Sequence, residues 1–482
     1  MVGIGNVYRA YVAGQWKETR DRRELRAPWD GAVFASVSFC GPAELEEAAQ
    51  AAARAFELTR KLPVYERARI CLDVARGLVA RKEELAQGLC VEGGKPILDA
   101  RAEVDRAAHC FELAAAEAER MGGEVFPLDL RPTSAGRLAL TRRVPVGPVA
   151  AISPYNFPLN LGVHKVAPAI AAGCPVVLKP ASATPTSSLR LAELIDQTSW
   201  PKGALSVVPC PNTVADAMVT DERFRFLSFT GSAEVGWGMK GRSGTKKVAL
   251  ELGGNAAVVV DEGADLDFAV PRIVYGAFSY AGQKCISVQR VLVHERLQGS
   301  FMERLIEATG RVKVGDPRDP DVLVGPVIDE ANARRIEAWV EEARSGGAKV
   351  LAGGERRKNL LPAYVLANVP RDAQVSCKEV FGPVVTVEPF SSFSEALEAV
   401  NDSPYGLQAG VFTEHLDRAL EAWDELEVGG VILNDTPTYR IDHMPYGGVK
   451  GSGQGREGIR YALEEMTELR LLAVNRIHHA KG

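Results

Sequence analysis

From Val149 onward the chain repeats one pattern, a short apolar run followed by a helix-patterned stretch, and this alternation limits the folds open to it more than any other feature. The first runs are Val149–Ser153, Val176–Lys179, Leu205–Val208, Phe226–Phe229 and Val248–Leu252. Strands so short and apolar are buried on both faces, and a parallel neighbour is reached only through a long crossover, usually a helix. The spacing predicts a doubly wound, mainly parallel sheet. A second set starts near Gly254: Ala256–Val260, a helix over about Asp265–Tyr280, Ile286–Val293, a helix over Gln298–Thr309, then Val384–Phe390, a helix over Ser394–Asn401, and Gly410–Phe412. It predicts another α/β domain. Upstream, Pro42–Thr59, Val64–Arg81 and Ile97–Arg120 carry apolar residues at helical spacing. Arg137–Val146 alternates like an exposed strand, and Met466–Arg476 reads as a terminal apolar strand that invites association when unpaired. A homodimer or homotetramer is expected on that ground.

Composition excludes several classes. With 482 residues, 46% of them hydrophobic, the chain can build a core without disulfide or metal staples. Lys and Arg number 57 against 62 Asp and Glu, a net charge of −5 spread along the chain, so the basic footprint of a nucleic-acid binder is missing. The longest nearly uncharged stretch, Val166–Leu178, is broken by Pro168, Gly173 and Pro175 and is too short to span a membrane. Met1–Ala13 carries Arg9 and no apolar secretory core, so a cytoplasmic location is expected. The eight cysteines include no Cys-x-x-Cys pair, which argues against zinc ribbons and dithiol redox sites; no metal is expected. His294-Glu295 lacks the second histidine of a zincin, and no G-x-S-x-G elbow occurs. A literal G-x-G-x-x-G at Gly236, Gly238 and Gly241 starts several residues beyond the run Phe226–Phe229, whereas a dinucleotide fingerprint sits on the strand-to-helix turn itself.

Seven short motifs remain: PYNFP at 154–158, LKPAS at 178–182, FTGSAEVG at 229–236, LELGGN at 250–255, GQKC at 282–285, KEVFGP at 378–383 and PYGGVKGSG at 445–453. In order and separation they resemble the NAD(P)-dependent aldehyde dehydrogenase superfamily, and the resemblance covers essentially the whole chain. It implies two doubly wound α/β domains plus a small β oligomerisation arm. The boundaries it suggests are 1–126 with 146–253 for the NAD(P)-binding domain, 254–450 for the catalytic domain, and 127–145 with 451–482 for the arm and tail.

The resemblance also implies roles. Oxidising an aldehyde needs a nucleophile, a hydride acceptor and a base that delivers water. Cys285 takes the first role, forming a thiohemiacetal and then a thioester. The Asn156 amide and the Cys285 N–H form the oxyanion hole, and Glu251 is the base. Cofactor contacts fall to Ser153, Pro154, Tyr155, Lys179, Ser182, Gly231, Ser232, Gly236, Glu379 and Phe381. Taken alone, the glycines after Phe229 would read more readily as a tight turn. Ser182 stands where NAD-preferring relatives often have Glu, which would repel a 2′-phosphate, so NADP or dual NADP and NAD use is expected. Tyr155 replaces the family's usual Trp.

Lys284, Arg440 and Arg106 are the substrate candidates, with His164 and Arg290 as weaker additions. The resemblance is to the lactaldehyde, non-phosphorylating glyceraldehyde-3-phosphate and phosphonoacetaldehyde dehydrogenase branch. A basic triangle suits a short-chain anionic aldehyde with a phospho, phosphono or carboxylate tail. A neutral hydroxyaldehyde such as lactaldehyde is the competing substrate. A CoA-acylating enzyme is disfavoured by Glu251, and a catalytically silent scaffold by Cys285, Glu251 and Asn156 together.

Overall fold

The computed structural model describes residues 6–475. The start of the N-terminal stretch read for a signal, residues 1–5, lies outside it, as do the end of the last expected strand, Arg476, and the remainder of the tail. The expected α/β class is what the chain adopts. Its largest sheet has eight strands in the spatial order Gly453–Gln454, Lys247–Glu251, Phe226–Thr230, Val149–Ile152, Val176–Lys179, Leu205–Val207, Ala10–Val12, Gln15–Lys17. The five strands between Lys247–Glu251 and Leu205–Val207 are mutually parallel, with antiparallel strands added at both edges. Helices Pro42–Thr59, Asn160–Ala172 and Thr186–Asp196 pack on this sheet, and the buried faces of Val64–Ala80 and Ile97–Arg120 join the same core.

A seven-stranded sheet runs Lys349–Ala352, Tyr364–Ala367, Val384–Phe390, Arg290–His294, Ala257–Val260, Gln408–Phe412, Gly430–Leu433, parallel except at the first pair. The run expected from Ile286 becomes strand only at Arg290. Before it the chain turns, with the Val288 and Arg290 N–H groups donating to the carbonyls of Gly276 and Ala256. A third sheet is the arm: Thr467–Asn475 pairs antiparallel with Arg137–Pro145, which also pairs with Val125–Pro127. Leu469, Leu471 and Leu472 of the arm are exposed. The segment after residue 450, expected to form only arm and tail, divides between two sheets. Gly453–Gln454 closes the edge of the eight-stranded sheet by pairing with Leu250 and Glu251, and helix Ile459–Glu465 packs on Asn160–Ala172 and Ile97–Arg120 before the arm strand begins. Among the described residues no helix is long and apolar enough to cross a membrane.

Candidate active site

Parallel strands bring their carboxyl ends to one edge of a sheet, and this is where open α/β sheets bind ligands. Here Val149–Ile152 ends before Ser153 and the PYNFP loop, Val176–Lys179 ends on Lys179, Phe226–Thr230 ends before Gly231, and Lys247–Glu251 ends on Glu251. Four of the motifs thus converge because they share a strand terminus. The GQKC motif arrives from the second sheet, and the glycines of LELGGN let it approach. A Cβ on Gly254 would lie 2.6 Å from the Cys285 carbonyl oxygen, and one on Gly253 would lie 2.1 Å from a Glu379 carboxyl oxygen. A side chain at Gly254 would push the two segments apart, and one at Gly253 would displace the Glu379 carboxyl.

Cys285 stands where two cavities meet. One, of about 220 Å³, is lined by Asn156, Cys285, Arg106, Lys284, Arg440 and Tyr446 among others. The other, of about 240 Å³, is lined by Pro154, Tyr155, Asn156, Gly231, Ser232, Glu251, Cys285, Glu379 and Phe381 among others. Cys285 therefore borders both cavities. The Tyr446 hydroxyl lies 2.9 Å from Sγ, and the Arg440 guanidinium lies 3.6 Å from the centre of the Tyr446 ring. Burial pushes the Cys285 thiol up to about 11, against the opposing pull of the Tyr446 hydrogen bond and the Arg440 charge. It rests protonated at neutral pH, so attack on a carbonyl must be coupled to loss of that proton.

Asn156 is buried, and its Nδ2 donates to the Gln283 carbonyl oxygen at 3.0 Å, which leaves its second N–H free. The Cys285 backbone N–H has no partner among the described residues. Two donors are thus available beside the sulfur. Glu251 is buried, and neither carboxyl oxygen has a hydrogen-bond partner among the described residues. Burial, followed by the nearby Glu457 charge, raises its pKa well above the carboxylate range, while Lys165 and Arg440 help hold Glu457 ionised. An unpartnered carboxyl of this kind holds its proton more tightly than an ordinary carboxyl and can take one from water.

In the second cavity Glu379 is pushed up to about 7 by burial and accepts from the Gly254 N–H at 3.2 Å. The Tyr155 and Phe381 rings meet edge to face at 5.9 Å, and Phe381 holds a left-handed backbone, φ +50°. Lys179 donates to Asn212 Oδ1 at 2.7 Å, and its carbonyl accepts from the Ser153 N–H. Lys179, Ser153 and Ser182 do not line that cavity. Gly236 does not line it either: inside helix Ala233–Lys240, a Cβ there would lie 2.5 Å from a Leu252 methyl and 3.2 Å from the Phe229 ring, so this glycine lets the helix pack closely on those side chains. The literal G-x-G-x-x-G falls within that helix and its C-cap, as its spacing implied.

On the other side, Arg106, Lys284 and Arg440 do share a cavity, but they are not equivalent. Arg106 forks onto Asp442 at 2.6 and 3.1 Å, and Arg440 bonds Glu457 at 2.9 Å. Lys284 bonds only the Ser279 hydroxyl and lies over the Tyr275 ring, and among the described residues it has no salt bridge. His164 is buried behind this wall and does not line the cavity; its Nε2 lies 2.9 Å from Asp442 Oδ1 and 3.5 Å from the Cys110 sulfur. Cys110, His164 and Asp442 could crowd round a cation, yet the Arg106 fork already occupies Asp442 and the Arg440 guanidinium lies 3.5 Å from His164. Arg290 is remote from both cavities, bonding the carbonyls of Ala399 and Val400.

Sequence reading missed the pair that braces the site. Lys95 and Glu103 form a fully buried salt bridge. The second Glu103 oxygen accepts from the Leu159 and Asn160 N–H groups, each at 3.0 Å, anchoring the chain just after Asn156. Lys95 Nζ sits 3.7 Å from the Phe157 ring centre and 4.6 Å from that of Tyr280, clamping the PYNFP loop to the segment before Cys285. That segment is strained, since Tyr280 and Ala281 hold φ of 55° and 54°. Glu103→Gln, which leaves Lys95 buried and uncompensated, should cost about 3–5 kcal/mol of stability by denaturant unfolding, and adding Lys95→Met should restore much of it.

The family model for the aldehyde dehydrogenase family matches residues 16–472. The 3-sulfolactaldehyde dehydrogenase of Priestia aryabhattai is 43% identical over 97% of this chain and 98% of its own length. Aldehyde dehydrogenase 21 from Physcomitrella patens, solved in complex with the reaction product succinate, superposes with a TM-score of 0.97 at 42% identity, covering 99% of this chain and 100% of that one. Glyceraldehyde-3-phosphate dehydrogenase GapN from Methanocaldococcus jannaschii, solved with NADP, gives a TM-score of 0.91 at 38% identity, covering 95% and 100%. The chain belongs to the aldehyde dehydrogenase family.

Proposed function

We propose that this chain oxidises a short-chain aldehyde with an anionic tail to the carboxylic acid, using NADP or both NADP and NAD. The observation that carries the substrate reading is Lys284, a cation in the wall of the Cys285 cavity with no carboxylate paired to it among the described residues. Arg106 and Arg440 flank it with guanidinium forks whose charges are partly offset. A carboxylate, phosphate or sulfonate would supply the missing counter-charge. Three relatives point the same way: one is named for a sulfonated aldehyde, one was solved with a dicarboxylate product and one is named for a phosphorylated aldehyde.

In this reading the aldehyde carbon faces Sγ and its oxygen receives the free Asn156 N–H and the Cys285 N–H. As the Cys285 sulfur bonds to carbon, the thiol proton passes to solvent water and the oxyanion that forms is held by those donors. A nicotinamide dinucleotide, when bound, supplies the acceptor for the hydride lost from that carbon, leaving an acyl thioester on Cys285. Glu251 then takes a proton from water, the hydroxide adds to the thioester carbonyl, and collapse releases the acid and the Cys285 thiolate, which recovers that proton from Glu251. The second cavity fits the nicotinamide end of such a cofactor: it opens beside Cys285, is walled by the Tyr155 and Phe381 rings, and contains Glu379 as an acceptor for ribose hydroxyls. Lys179, which has no salt bridge among the described residues, together with Ser182 in place of an acidic residue, supports acceptance of a 2′-phosphate.

The test is a panel of carboxylated, phosphorylated, sulfonated and neutral aldehydes, lactaldehyde included, with NADP and NAD, with and without CoA. Anionic aldehydes should lead in kcat/KM; parity with lactaldehyde and propionaldehyde would overturn the tail reading. Lys284→Met should raise KM for the best anionic substrate about 10- to 100-fold, the worth of one charge-assisted hydrogen bond, and leave propionaldehyde nearly unaffected. Lys284→Arg should recover part of the loss. Arg440→Ala is the poorer probe, because Arg440 also covers the Tyr446 ring and would disturb every substrate.

A further inference from the structure

Away from both cavities, the base of the arm meets the ends of four helices around a hollow of about 310 Å³. Five arginines line it: Arg60 and Arg67 from the helical side, Arg142, Arg143 and Arg470 from the arm. Among the described residues only Arg60 has a carboxylate partner, Glu57, at 3.4 Å. Arg143 bonds the Glu464 carbonyl and the Thr467 hydroxyl, which are neutral acceptors. Arg67 is 9% exposed, donates to the Ala171 carbonyl, and keeps a buried Nε with no partner among the described residues. Arg142 and Arg470 face each other directly across the antiparallel pair, where like charges repel. A folded protein that holds five guanidinium groups around one hollow, with a single carboxylate among them, has a strong local field for anions.

We infer that this hollow is a binding site for a small anion bearing two or more phosphate or carboxylate groups. A monovalent ion would leave most of the charge uncompensated, and the size of the hollow suits a diphosphate or tricarboxylate better than a polymer. Planar guanidinium forks match the oxygen pairs of either group. An occupant would bridge the arm to the helix ends, since its ligands come from both, and so would stiffen the arm without touching Cys285.

The experiment uses the full chain and sodium pyrophosphate, with citrate as a second probe and orthophosphate and sodium chloride at matched ionic strength as controls. Calorimetric titration should show saturable binding of one pyrophosphate or citrate per chain, with a rise in melting temperature that the chloride control does not reproduce. Preference between the probes identifies the group recognised. Arg142→Gln with Arg470→Gln should weaken binding about 10- to 100-fold while leaving aldehyde turnover unchanged. Arg60→Gln, at an exposed position, provides a second test if that double variant folds poorly. Binding that does not saturate, or that is equally strong in the variants, overturns the inference. So does a wild type that ignores both probes while the double variant loses its oligomeric state, which would make the hollow a seat for acidic side chains of a second copy.

Discussion

Cys285→Ala is expected to reduce aldehyde oxidation by about 10⁴-fold or more while leaving NADP binding nearly unchanged. The sulfur is the one reactive atom shared by the two cavities, and no other cysteine lines either of them. Six of the remaining seven cysteines are buried, and Cys377 is partly exposed elsewhere, so none can substitute. Cys285→Ser sharpens the test, because it keeps a hydroxyl beside Tyr446 Oη and so preserves the local hydrogen bond. A merely structural cysteine would tolerate that exchange, whereas a nucleophile would not, since a serine hydroxyl is far less acidic than a thiol. Initial rates with a saturating aldehyde, together with fluorescence titration of NADPH, measure both halves of the expectation. Retained turnover in either variant removes Cys285 from the chemistry.

Legibility in the sequence followed periodicity and local motifs. Pro42–Thr59 and Ile97–Arg120 are helices over the expected spans because each keeps one continuous apolar stripe. Lys82–Gly93 escaped notice since its buried residues, Leu85, Ala86, Gly88, Leu89 and Cys90, crowd together instead of forming a stripe, and it follows Val64–Ala80 with only Arg81 between. Of the strands before residue 40, Gln15–Lys17 and Asp21–Arg26 are largely solvent-facing and Ala10–Val12 has only three residues, weak signals on their own. Motifs at strand ends placed Asn156, Glu251 and Cys285 around shared cavities. What they could not convey is pairing across distance. Tyr446 lies in a quoted motif, yet only the fold sets its hydroxyl against Cys285. Lys95 sits within the Gly94–Pro96 break and Glu103 in the helix after it, so no helical spacing joins them. The partners Asp442 and Glu457, which make Arg106 and Arg440 poorer anion ligands than Lys284, are likewise visible only in space.

Glu251→Gln should slow steady-state turnover by about 10²- to 10⁴-fold, the usual worth of a general base, yet permit a first burst of NADPH as the thioester accumulates. Stopped-flow absorbance separates the phases; an unchanged steady rate would assign the base elsewhere. The same carboxyl makes a pH prediction. Its pKa is raised in the folded protein, so its basic form grows as pH rises through that raised value, and wild-type kcat should climb with pH well above the ordinary carboxylate range. The glutamine variant should lack that limb. Stability should move oppositely. Between the ordinary carboxylate pKa and the raised one, the folded state binds more protons than the unfolded state, so stability falls as pH increases. Glu251→Gln removes this term, and because both carboxyl oxygens lack partners among the described residues, it removes no hydrogen bond. The variant should melt at the same temperature as wild type at acidic pH and higher at pH 8 to 9. A loss of stability with the loss of rate would mean that Glu251 is a structural anchor, because only an unpartnered catalytic carboxyl can be neutralised with a gain in stability and a loss of turnover.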